Sequence, residues 1–191
     1  MPSTIQEYLS GTAETLARLV ENSEAVETAA QKIYEALRAG KKVVAFGNGG
    51  SAADAQHFVA ELVGRFEAER PGLPAIALTT NTSILTAVGN DYGYELVFSR
   101  QVQPLVQAGD VVVGISTSGN AGNVIAAVEQ ARKQKAFTIG LTGAAGGKLK
   151  SAVDCCISVP SNRTSHIQEG HIAAIHAMCA RIDQVFAAAK A

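Results

Sequence analysis

The chain has 191 residues, of which 47% are hydrophobic and 17% charged, with a net charge of −1. That length suits one domain of ordinary size, and near-neutrality without a Lys/Arg tract argues against a duplex nucleic-acid binder, which normally carries a basic footprint. The charged fraction falls short of the roughly 25% of typical soluble domains, so part of the surface is expected to be covered, most simply in a homo-oligomer; the alternative is a monomer with an alanine-rich neutral surface.

Met1-Pro2-Ser3-Thr4 leads into a polar amphipathic stretch rather than a signal peptide. Ile5, Leu9, Leu16, Leu19 and Val20 recur at helical spacing over 4–22, and Val26, Ala30, Ile33, Tyr34 and Leu37 do so over 24–39, where Gly40 ends the helix. These helices, about 2–39, precede the first strand and are expected to form an extra layer or an oligomer contact. Val43-Val44-Ala45-Phe46 reads as a short buried strand, followed by Gly47-Asn48-Gly49-Gly50-Ser51 and a helix from about 52 to 66. Ala75-Ile76-Ala77-Leu78 is a second strand, after which a short helix over 83–88 and a loop over 89–93 are expected. Residues 94–107 look helical, with Pro104 able to kink or shorten the helix. Strands at 111–115, 137–141 and 155–159 and helices at 121–133 and 165–189 complete the chain.

Strands alternating with helices predict a doubly wound α/β core at about 40–191, a three-layer sandwich around a parallel sheet, all within one domain spanning 1–191. Cys155, Cys156 and Cys179 are odd in number and two are adjacent, a poor disulfide framework. A reducing compartment, the cytoplasm, is the expected location. No apolar run approaches the roughly 18 residues of a membrane span.

Ligands in open parallel sheets bind beyond the carboxyl ends of the strands, and two turns there carry unusual chemistry. Gly47-Asn48-Gly49-Gly50-Ser51 opens a helix whose free N–H groups suit an anion; the alternative is a plain tight turn. As a dinucleotide fingerprint it matches only nominally, because the second strand runs into Thr79-Thr80-Asn81 without the acidic residue a ribose needs. No nucleotide cofactor is expected. Ser116-Thr117-Ser118-Gly119-Asn120 sets three hydroxyls in a row at a helix start. Capping needs one such residue, so three point to a phosphate. The absence of G-K-[ST] excludes a P-loop.

His57 and Glu61 are spaced i, i+4 on one helix face beside Phe58 and Leu62. Such a pair is either a buried structural pair or a working site. Gln168 and His176 lie about 80° apart around an ideal helix. Together with His57 and Glu61 they make an N/O donor set for Zn²⁺ or a similar ion, although glutamine is an uncommon zinc ligand. His166 and His171 are read as surface or packing residues.

At these residues a resemblance emerges. Residues 47–58 (GNGGSAADAQHF), 88–93 (VGNDYG), 114–120 (GISTSGN) and 167–171 (IQEGH) with His176 resemble the phosphoheptose isomerases of the sugar-isomerase (SIS) domain superfamily, over nearly the whole chain. The resemblance implies a five-stranded parallel α/β/α sandwich and a homotetramer with active sites at subunit interfaces. It implies an aldose–ketose isomerase converting sedoheptulose 7-phosphate to D-glycero-D-manno-heptose 7-phosphate, for bacterial lipopolysaccharide core or surface polysaccharide. By the same resemblance Ser116, Thr117 and Ser118 hold the phosphate, and Asn48, Gly49, Gly50, Ser51, Asn90 and Asp91 line the sugar site with Glu61 and Gln168. Glu61 and His176 are the implied proton-transfer pair, and His57, Glu61, Gln168 and His176 match the family's zinc ligands. Ala121 departs from a frequent serine and Asn81 from a frequent aspartate. The rival readings are a non-catalytic SIS paralogue that binds the replication-initiator protein, disfavoured because it lacks the counterparts of Glu61 and His176, and a sugar-phosphate sensor.

Overall fold

In the computed structural model residues 4–188 are described; positions 2–3 of the expected N-terminal helices and position 189 of the expected last helix lie outside the described residues. Five short, largely apolar segments form the strands β1 (Val43–Gly47), β2 (Ala75–Ala77), β3 (Val111–Ile115), β4 (Phe137–Thr142) and β5 (Cys155–Ser158). They make one sheet in the order β2-β1-β3-β4-β5, with every neighbouring pair parallel. Every residue of β1 and β3 is buried, as expected of strands covered on both faces.

Strand alternation splits the interior in two. Val43 and Ala45 face a core shared with α2 (Ser23–Arg38), α3 (Gly50–Val63) and α8 (Thr164–Ala188). Val44 and Phe46 face the opposite core, built with α5 (Ser99–Leu105), α6 (Gly122–Lys133) and α7 (Gly147–Ala152). The helix α1 (Ile5–Leu19) starts with a Thr4/Glu7 capping box and lies on α8, where Tyr8 and Thr12 donate to the Glu169 carboxylate at 3.1 and 2.7 Å. The N-terminal helices therefore divide in role. α2 buries Ala29, Ala30, Ile33, Ala36 and Leu37 as part of the sandwich itself, and α1 is the added element.

Three local expectations are corrected. The segment 89–93 is not a loop: α4 (Thr82–Tyr92) runs through Gly89-Asn90-Asp91 and stops only at Gly93, whose φ is 86°. The Asn81 side chain caps α4 by accepting the Ile84 N–H at 3.0 Å. Residues 94–107 do not form one helix, since a 3₁₀ turn at Tyr94–Leu96 precedes α5, which ends one residue past Pro104. α7 was not anticipated because its six residues are too few to display a helical period. No helix among the described residues is long and apolar enough to cross a membrane.

The strand order reverses between β1 and β3. The chain leaves β1 toward β2 on one side, while β3 lies on the other. The carboxyl ends of β1 and β3 thus flank the crevice where this class of sheet receives ligands.

Candidate active site

The glycine turn after β1 and the hydroxyl turn after β3 meet at that crevice. A cavity of about 210 Å³ is lined there by Asn48, Ser51, Ser116, Thr117, Ser118 and Ala121. The helix starts that open onto it have no side-chain cap. α3 begins after Gly49, whose φ of 55° suits glycine, and α6 begins after Ala121. None of the three hydroxyls caps α6; Ser118 Oγ instead accepts the Asn120 N–H at 3.1 Å. Uncapped amides at two helix starts and adjacent hydroxyls form a cradle for a phosphate.

Asn123, in the first turn of α6, exchanges two amide hydrogen bonds with Asn48. Asn48 Nδ2 donates to Asn123 Oδ1 at 2.9 Å, and Asn123 Nδ2 donates back to Asn48 Oδ1 at 3.0 Å. The pair staples one turn to the other, and sequence reading missed Asn123 because its partner lies 75 positions away. At Gly50 a Cβ would meet the Gln168 side-chain amide, so the glycine leaves room for Gln168 to lie against the turn. A second cavity of about 280 Å³ shares Thr117 and Ser118 and continues past Gly143 to Ser161, Asn162 and Thr164.

Further along α3, His57 Nε2 lies 2.9 Å from Glu61 Oε1 and 3.2 Å from His176 Nε2 on α8. Ligand atoms of His57, Glu61 and His176 all fall within 4.8 Å of one another. The Phe66 ring stacks on His176 at 5.5 Å between centroids. A wide, open cavity of about 850 Å³ runs beside this cluster, lined by His57, Glu61, Val63 and edge strand β2. A single nitrogen carries at most one proton, and here Glu61 and His176 both converge on His57 Nε2. A cation among them would engage all three lone pairs, so the donor set can hold a metal ion.

The structure brings together three of the four expected metal ligands. Gln168 precedes His176 by eight positions of α8, and its side-chain amide lies against Gly50 at the glycine turn. Asn90 and Asp91 occupy the last turn of α4, both exposed, with Asn90 Nδ2 donating to Asp91 Oδ1 at 2.7 Å; they line none of these three cavities. Asp54, not singled out from sequence, is buried on α3 with Oδ2 unpartnered. Burial pushes its carboxyl up to about 6, with the His57 charge acting in the opposite direction.

The remaining histidines serve packing. His171 is fully buried with Nε2 3.1 Å from the Thr142 carbonyl. Burial pushes its imidazole down to about 4 against the effect of that carbonyl. His166 lies edge-on to Tyr8 in a notch at Gly11. The three cysteines are free.

Comparison with known proteins agrees with this geometry. The SIS domain family model matches residues 7–143. Phosphoheptose isomerase of Geobacter sp. (strain M21) is 57% identical over 164 residues, 86% of this chain and 85% of that protein. The solved phosphoheptose isomerase of Neisseria gonorrhoeae superposes with a TM-score of 0.84 at 47% identity, covering 95% of this chain and 100% of that one. That of Francisella tularensis gives a TM-score of 0.91 at 38% identity, covering 94% and 96%. A hydroxyl-lined crevice at the sheet's switch point, a His/Glu/His cluster beyond it, and these likenesses over most of the chain lead to one conclusion: the chain belongs to the SIS-domain family and, within it, to the phosphoheptose isomerases.

Proposed function

We propose that this chain, acting as a single SIS domain, interconverts sedoheptulose 7-phosphate and D-glycero-D-manno-heptose 7-phosphate by proton transfer through an enediol. The product would serve bacterial lipopolysaccharide or surface polysaccharide. The observation that carries the residue assignment is the meeting of Glu61 and His176, from two helices, around His57.

The phosphate sits on Ser116, Thr117, Ser118 and the amides opening α6, while Asn48, Gly49, Gly50, Ser51 and Gln168 face the sugar. One group removes a proton from the hydroxyl-bearing carbon next to the carbonyl. The released electron pair forms the C=C bond, and the carbonyl oxygen takes a proton. Return of a proton to the other carbon, with loss of one from the first hydroxyl, completes the exchange without net change in composition. Glu61 Oε1 faces His57, which leaves Oε2 for proton transfer, with His176 as its partner in the exchange. Zn²⁺ held by His57, Glu61 and His176 would polarise the carbonyl as a Lewis acid.

A homotetramer with sites at subunit interfaces is part of the same reading. α4 buries none of its residues, and Ile84, Tyr92, Tyr94 and Leu96 in and after it are exposed. Asn90 and Asp91 on that helix are then available to complete a site with a second copy. The cytoplasm supplies the expected reducing setting for the free thiols.

The test is turnover of sedoheptulose 7-phosphate followed by NMR. Glu61→Gln should fold and assemble while losing at least ~100-fold in kcat, the lower end for general acid–base catalysis. Near wild-type turnover in that variant would refute the base assignment.

A further inference from the structure

Arg70 and Asp183 form an ion pair far from the crevice, with Arg70 Nε 2.6 Å from Asp183 Oδ1 and side-chain exposures of only 3% and 4%. Every polar edge of the pair is occupied. Arg70 Nη2 donates to the Glu61 main-chain carbonyl at 2.8 Å, and Nη1 donates to that of Leu62 at 2.9 Å. These carbonyls belong to the last turn of α3, which has no partner for them within the helix. Asp183 Oδ2 accepts the backbone N–H groups of Glu67 and Ala68 at 3.0 and 2.9 Å. Burial works against ionisation of Asp183, but the Ala68 N–H, Arg70 and the Glu67 N–H together hold its pKa below the ordinary value.

The placement is specific. Asp183 follows His176 by seven positions of α8, two turns on and within about 20° of the same face. Arg70 thus joins the peptide of the residue carrying the expected base to the helix face carrying its partner. A buried ion pair is weak support for stability, since well-packed apolar residues often do as well. Its geometry matters more here. The planar guanidinium fork fixes three directions at once, which a lysine cannot do. We propose that the Arg70–Asp183 pair is a positioning device that sets the approach of Glu61 to His176. This rests on the assignment of those two residues as the proton-transfer pair.

The tests use the full chain. Asp183→Asn keeps the side chain's shape and removes its charge. It should lower kcat about 10- to 100-fold, the range for groups that orient a working site, while KM for sedoheptulose 7-phosphate stays within about threefold. Affinity for Zn²⁺ alone, measured by titration, should fall about tenfold. Asp110→Asn is the control. It breaks the Lys42–Asp110 pair, 2.6 Å long, at the amino ends of β1 and β3, away from the site. It should lower Tm with kcat within about twofold of wild type. Asp183→Glu, which keeps the charge, should recover most of the lost kcat.

An Asp183→Asn enzyme with unchanged kcat overturns the positioning role, as does an equal kcat loss in Asp110→Asn at matched Tm or a Glu variant as impaired as the Asn one. If Asp183→Asn does not unfold cooperatively, Arg70→Lys carries the same expectation, because it keeps the charge and loses the fork. Failure of both to fold assigns the pair to folding alone and overturns the role too. An inactive Glu61→Gln beside an unimpaired Asp183→Asn sinks only the positioning; an active Glu61→Gln sinks the catalytic assignment itself.

Discussion

The Nε2 atoms of His57 and His176 approach to 3.2 Å across 119 positions of sequence. The same His57 nitrogen lies 2.9 Å from Glu61 Oε1. Two neighbours therefore converge on an atom that can bear one proton, and a divalent cation held there would relieve that conflict.

The first prediction follows from that conflict. Chelation followed by dialysis should abolish most turnover, and Zn²⁺ should restore it. His57→Ala should weaken Zn²⁺ binding by about 10- to 100-fold or more, read by titration of the metal alone. Its side chain is 44% exposed, so Tm of the metal-free protein should barely move. Unchanged Zn²⁺ affinity would remove His57 from the ligand set.

At the crevice, Ser116 is buried and faces the cavity without capping α6. Ser116→Ala should raise KM about tenfold or more, as expected for loss of a hydrogen bond to a charged group worth about 1.5–3 kcal/mol, with kcat changed far less. Steady-state kinetics over a range of substrate concentrations checks this. An unchanged KM would take the phosphate off this hydroxyl.

Asn123→Ala leaves both polar atoms of the Asn48 amide without their present partners. The expected loss of stability is about 1–3 kcal/mol, measured by denaturant unfolding. The glycine turn also loses its tie to α6, so inorganic phosphate should raise Tm less than it does in the wild type. A variant with wild-type stability and an undiminished phosphate effect would show that the amide pair has no part in the cradle.

His171 sets a pH dependence of stability. Its folded pKa is depressed to about 4 by burial, below the ordinary value of about 6.5. The unfolded chain therefore binds the extra proton between those values, and stability contributed by the neutral ring is lost as pH falls from about 6.5 toward 4. Asp54 acts in the opposite sense. With a folded pKa raised to about 6, it favours the folded state most below its unfolded pKa, and that advantage is lost as pH rises through about 6. His171→Gln should flatten the acid limb of a Tm-against-pH curve, and Asp54→Asn should raise Tm at pH 8 more than at pH 4. An unaltered acid limb in the first variant, or a uniform shift in the second, would contradict these assignments.

Legibility followed the range of the interaction. β1 and β3 were readable because Val43–Phe46 and Val111–Ile115 are apolar runs bounded by polar or glycine residues, and β4 because Phe137, Ile139 and Leu141 alternate with small residues. The hydroxyl turn was readable because its chemistry is contiguous, and His57 with Glu61 because one helix turn joins them. Where local rules competed, the reading failed. Gly89 suggested a break, yet Asn81 capping and continued backbone bonding carried α4 to Gly93. The N-terminal helices looked peripheral because they precede the first strand, but α2 is part of the sandwich.

Sequence by itself determined the α/β class, the two turns at strand ends and the chemical types gathered there, because periodicity and turn chemistry act over a few residues. Only the tertiary structure decided that β1 and β3 are neighbours, that His176 meets His57 and Glu61 within the chain, and that Asn123, Asp54 and the Arg70–Asp183 pair sit where they do. Those contacts and burials come from packing helices onto a sheet, which brings together groups many positions apart and removes water from them. No local pattern encodes either effect.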